Sequence, residues 1–221
     1  MQNRRMERSA AYSGILGAIL FVLSGVLPGQ FPPVSATSAE MAAFLSTHTF
    51  GMALGAWLAV PAVAFILWFA YGLFDYLRDA SDGDRSLGQW GRGGAVIWGA
   101  LTLASSALLA AAAIRSPGAT AVLPTLYVFD VVLFVFSMGA FAAFAFGVAH
   151  ESRRKGLMPG WLNLFGYLVF IVDFVYTLSV FATSDTWGVA GYGTYVTPIL
   201  SGVWVLIASI VLMVSVPRNT A

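Results

Sequence analysis

Six stretches of this chain are apolar over a length that crosses a bilayer, which takes about 20 residues each. They fall near 11–29, 50–74, 94–114, 122–149, 162–183 and 196–216. A membrane barrel would alternate apolar and polar residues, whereas these runs are apolar all round. The fold class read from them is therefore all-α: a polytopic membrane protein, a bundle of six transmembrane helices forming one integral membrane domain over 1–221. The second and fourth runs exceed the need and are expected to tilt or to project beyond the hydrocarbon. Hydrophobic residues make up 59% of the 221, above the level of soluble domains, so the first expected partner is the lipid bilayer. A net charge of +1 gives no reason to expect nucleic acid. The chain has no cysteine, which removes disulfides, thiolate metal sites and cysteine-linked haem.

Basic residues orient the spans. Arg4, Arg5 and Arg8 precede the first, Arg78, Arg85 and Arg92 separate the second and third, Arg153, Arg154 and Lys155 separate the fourth and fifth, and Arg218 follows the sixth. The opposite loops hold only Arg115. The positive-inside rule then puts both termini in the cytoplasm, in a multi-pass protein of the cytoplasmic (inner) membrane. A signal peptide cleaved after Ala36, within "VSA", is the competing account of the first span. Its apolar segment is longer than a usual signal core, so the uncleaved form is the expectation.

Thr37 and Glu40 stand at capping-box spacing ahead of Met41, Phe44 and Leu45. They predict a short amphipathic helix on the outer surface, or a lid over an outward cavity. "DGD" at 82–84 lacks the remaining ligands of a calcium loop and reads as a solvated turn. "HESRRKGLMPGW" suits a basic juxtamembrane turn, with Pro159 opening span five. Gly51 with Gly55, and Gly139 with Ala143 and Gly147, form small-residue rows that let helices approach closely. Six spans permit a three-plus-three inverted repeat, but no internal similarity beyond one pentapeptide supports it.

That pentapeptide carries the candidate site. "YVFDV" at 127–131 returns reversed as "VDFVY" at 172–176, on helices that run in opposite directions. Measured from the outer ends of their runs, Asp130 and Asp173 are expected at a common depth, roughly 12–15 Å down. Tyr127 and Tyr176 would each sit one turn outward, with Thr177 and Ser137 near the same faces. A charged aspartate at the bilayer centre costs about 2.5–3.5 kcal/mol on insertion scales, and two adjacent carboxylates share a proton more readily than they both ionise. The group is thus expected to hold at least one proton at neutral pH, and to bind a proton, a cation or a polar solute. Whether the two aspartates face each other is left open. The alternative is that each acid is interhelical glue, hydrogen-bonded to a neighbour or neutralised by Arg115.

Other chemistry is poorly supplied. His48 and His150 are the two histidines and sit at membrane edges, so a bis-histidine haem and histidine-rich metal sites are not expected. Nothing in the spacing of His48, Glu40 and Asp185 demands a metal. The lone lysine, Lys155, lies in a loop, so no intramembrane Schiff base forms. No phosphate loop, nucleophile elbow or arginine ladder is present. No cofactor is expected. Three roles remain: a small carrier or channel-like protein using the carboxylates, a non-enzymatic accessory or scaffold subunit, and an intramembrane enzyme acting on an isoprenoid or lipid. A membrane-protein partner or a homo-oligomer is compatible with each.

"SAEMAAFLSTH", "LWFAYGLFDYLR" and "RRKGLMPGWLNLFGYL" together resemble a widespread group of six-span membrane proteins of unknown function, common in high-GC Gram-positive bacteria. The resemblance covers nearly the whole chain on loose motifs. It implies six helices in a cytoplasmic membrane and transfers no site residue. The group more often reads "LGWLG" where this chain has "LNLFG", which makes Asn163 a departure.

Overall fold

The computed structural model describes residues 2–33, 35–79, 86–115, 122–182 and 188–215. The "DGD" turn, Asp185, Arg218, Val34 of the candidate cleavage site and the side chain of Arg115 lie outside the described residues. Six helices account for the spans: α1 (Gln2–Val26), α2 (Ser38–Asp79), α3 (Ser86–Arg115), α4 (Leu123–Lys155), α5 (Gly160–Thr177) and α6 (Gly193–Ser215). A single 3-10 turn, Leu178–Phe181, prolongs α5. All six are long and apolar enough to cross a membrane, and no strand occurs among the described residues. The chain is an all-α, multi-pass membrane protein.

Each helix packs on its neighbours in sequence, and α6 returns to α1, which closes a ring. Contacts across the ring join α2, α4 and α6 to one another. These three are the inner members of the hairpins α1–α2, α3–α4 and α5–α6, and each is more buried than, or as buried as, the odd-numbered helix it follows. Glycine makes the close approaches. A methyl group at Gly55 would come within 2.7 Å of the Ser24 carbonyl of α1, and one at Gly94 of α3 within 2.7 Å of the Ala140 carbonyl of α4. The row Gly139, Ala143, Gly147 divides, with Gly139 against α5 and the other two against Gly94 and Gly91 of α3.

The basic residues that set the topology also staple one end of the bundle. Arg92 of α3 bonds Asp75 of α2 at 2.5 Å, with its guanidinium over Tyr71 and Phe74. Lys155 pairs with buried Glu151 at 3.0 Å and donates to the Leu77 carbonyl, one of the last of α2. Gly156 ends α4 at φ +64° with the backbone bonds of a left-handed cap. Pro159 then stands at the N-cap of α5. The α4–α5 turn is only four residues long, so it fixes the two helices in register at this basic end.

The far end is built differently from the expectation. The amphipathic segment behind Thr37 is no separate surface helix, because α2 runs unbroken for 42 residues, about 63 Å. The capping box itself is present. Thr37 N and Oγ1 both donate to Glu40 Oε2 at 2.8 Å, and Glu40 N donates back to Thr37 Oγ1 at 3.3 Å. Nothing between Met41 and Phe50 breaks the helix, and Met41, Leu45 and Met52 bury against Ala112 and Ala113 of α3 and Leu123, Tyr127 and Val131 of α4. That packing holds the first turns of α2 upright, against the ends of its neighbours.

The larger core lies nearer the basic end and is aromatic. Phe21, Trp98, Phe141, Phe144 and Trp204 meet edge to face, with centroids 5.3–6.2 Å apart. This network crosses from α1 through α3 and α4 to α6 and fills the bundle there.

Candidate functional site

Both aspartates are buried, Asp130 at 6% exposure and Asp173 at 0%, but they do not meet. Ser105 of α3 donates to Asp130 Oδ1 at 2.5 Å. Ser201 of α6 donates to Asp173 Oδ2 at 2.7 Å, and Asp173 Oδ1 has no hydrogen-bond partner among the described residues.

Helix register explains the separation. Gly139 of α4 lies level with Thr177 of α5, where a methyl at Gly139 would come within 2.7 Å of Thr177 Cγ2. Asp130 is nine residues from Gly139 towards the far end, and Asp173 is four residues from Thr177 towards the basic end. At 1.5 Å per residue the two acids stand roughly 20 Å apart along the bundle. The contact of Gly166 with Ala149 gives about 18 Å by the same rule. The common depth expected from the mirrored pentapeptides is therefore corrected. α4 rises much further from the shared turn than α5 does, so their far ends are not at one level.

The phenols do gather, around Asp130 alone. Tyr127 and Tyr176 both lie within electrostatic reach of Asp130 and Tyr195. Tyr127 Oη donates to the Pro32 carbonyl at 2.7 Å. Tyr176 Oη donates to the Val189 carbonyl at 2.8 Å and lies 2.9 Å from Thr194 Oγ1. Thr177 and Ser137 stay out of the cluster, with hydroxyls bonded back to Phe174 and Phe134 of their own helices.

Asp130 forms part of the wall of a cavity of about 110 Å³ at the far end, together with Ser105, Thr102, Tyr127 and Tyr195. The rest of the wall is mainly apolar and comes from α1, α2, α3, α4 and α6. Asp173 is not part of it. Phe21 forms the floor and joins the cavity to the aromatic network. The loop after α1 forms the ceiling. Its Phe31 amide donates to Tyr195 Oη at 2.9 Å, its Pro32 carbonyl accepts from Tyr127, and the Phe31 ring stacks on Tyr127. The loop leaves α1 through Gly29, at φ +80° and against the His48 ring.

Among the described residues the cavity wall holds one acid and no basic side chain, and no cluster of His, Asp and Glu is arranged for a metal ion. The site is thus suited to a cation or a hydrogen-bond donor with an apolar body. Ser105, Ser201 and Thr102 were not singled out by sequence. A hydroxyl in an apolar span becomes informative only once the acid opposite it is known. No family model, curated protein or solved structure matches the chain.

Proposed function

We propose that this protein binds a small cationic or hydrogen-bond-donating solute at Asp130, as a carrier-like membrane protein. The observation that carries the reading is a carboxyl nine-tenths buried on the wall of a cavity that holds no basic side chain among the described residues. An ionisable group inside a bundle and beside a cavity marks a solute or ion path more often than it marks packing. Ser105 orients the carboxyl, and Tyr127 and Tyr195 hold the ceiling over it. The bias of basic residues supports a cytoplasmic basic end and an outward cavity in the cytoplasmic membrane. The aromatic network below Phe21 favours a binding site with alternating exposure over an open channel.

Asp173 belongs to a second role within the same reading. Its bond to Ser201 joins α5 to α6 outside the wall of the Asp130 cavity, which supports interhelical glue. A filled core and hydrogen-bonded acids also agree with an accessory subunit, but such a subunit has no use for the cavity.

The test is binding of an alkylammonium series, from ethyl to dodecyl, to protein in nanodiscs by native mass spectrometry. Asp130→Asn is expected to lose binding at least about tenfold, equivalent to roughly 1.4 kcal/mol, while Asp173→Asn binds as the parent does. If no member of the series binds in an Asp130-dependent manner, the reading fails.

A further inference from the structure

Among the described residues the cavity has Phe21 below it and the loop after α1 above it, and its side is open. α1 and α6 pack closely over most of their length, where Gly202 takes up Val22 and Gly14 faces Ser209. Beyond Val22 they part. Gly25 forms part of the cavity wall, yet a methyl group there would meet nothing within 4 Å. Val26 and Ile199 border the same opening and are 61% and 48% exposed. Gly25 lies seventeen residues along α1 from Arg8, and Ile199 sixteen residues from the α6 terminus at Ser215. Both are on the order of 25 Å above the basic end, within the roughly 30 Å hydrocarbon thickness. With the hydrocarbon taken to begin at Arg8 and Ser215, the opening stands at acyl-chain depth.

We infer that the ligand enters sideways from the far leaflet, between α1 and α6, and is a single-chain cationic amphiphile. This rests on the reading of Asp130 as the binding group. Its ammonium head would pair with Asp130 beneath the Phe31 ceiling, and its chain would leave through the gap past Gly25 and Ile199. The cavity, about 110 Å³, has room for about four waters at roughly 30 Å³ each, enough for a head and the first carbons of one chain but not for a two-chain lipid. The apolar wall and the lateral opening together explain why one carboxyl, with no basic neighbour among the described wall residues, sits between the Phe21 floor and the Phe31 ceiling. The entry route separates this class from small water-soluble cations, which would need the ceiling to open.

Dodecylammonium carrying a diazirine at its tail, photolysed with the protein in phosphatidylcholine nanodiscs, tests the route. Saturable label is expected on the peptides containing Val26 and Ile199. Asp130→Asn and Gly25→Phe should each reduce it about tenfold, or roughly 1.4 kcal/mol, with Gly25→Leu intermediate and ethylammonium in hundredfold excess failing to displace the probe. Val26→Trp replaces Gly25→Phe if the latter does not fold. If the plugged variants label like the parent, or ethylammonium competes fully, while Asp130→Asn still loses label, the lateral route is wrong and the binding group stands. If Asp130→Asn keeps its label, the underlying site assignment is wrong as well.

Discussion

A carboxyl surrounded by hydrocarbon needs a donor at hydrogen-bond distance, and the two acids here find theirs on different helices. Asp130 takes Ser105 on α3 and faces a cavity, while Asp173 takes Ser201 on α6 and is enclosed. Asparagine keeps an acceptor for Ser201, so Asp173→Asn should shift unfolding in detergent by under about 1 kcal/mol. Ser201→Ala should cost about 0.5–1.5 kcal/mol, because the acid loses the one donor it has among the described residues. At the ceiling, Tyr195→Phe removes the acceptor of the Phe31 amide. A loss of about 1 kcal/mol would speed exchange of that amide roughly fivefold, and hydrogen exchange resolved to the 27–33 loop reads it directly. Unchanged exchange would mean that the loop is held by other contacts.

Single helices show what could be read in advance and what could not. The capping box at Thr37 and Glu40 was legible because its chemistry is local, and so was each span, because twenty apolar residues need no neighbour to declare themselves. The relative height of α4 and α5 is a tertiary quantity. Measured from the far ends of the apolar runs, the acids share a depth, but those ends are ragged: α5 stops at Thr177, while α4 continues to Leu123. The four-residue turn between Lys155 and Gly160 is the better ruler, since it ties both helices to one plane and puts Asp130 about twelve residues further out. The same reasoning explains the missing surface helix, because only packing on α3 and α4 could hold the start of α2 upright. Glu40→Ala removes the acceptor of the Thr37 amide and hydroxyl and should raise exchange over 38–48 while leaving 60–75 protected. At the basic end, Lys155→Met leaves buried Glu151 without its 3.0 Å partner. Arg154, 3.9 Å from the other oxygen, remains, so the cost is expected below the roughly 3–5 kcal/mol of a wholly unpaired buried charge, seen as a lowered midpoint in thermal unfolding.

At the scale of the whole molecule, the bundle divides into a basic end tied by ion pairs, an aromatic middle, and a far end that combines a cavity with a roofing loop. This division gives the sequence-derived orientation a structural meaning, because the end stapled by Arg92 and Lys155 is the one proposed to face the cytoplasm. The cysteine-free background makes that testable. In intact cells Ser46→Cys should react with an impermeant maleimide and Gln89→Cys should not, and the reverse pattern would invert the topology. The central claim is the division of labour between the two acids, and infrared spectroscopy of the carboxyl stretch in bilayers reaches it most directly. The band lost in Asp130→Asn should shift when dodecylammonium is added, while the band lost in Asp173→Asn stays fixed. A ligand-sensitive band that survives in Asp130→Asn and disappears in Asp173→Asn would contradict the account.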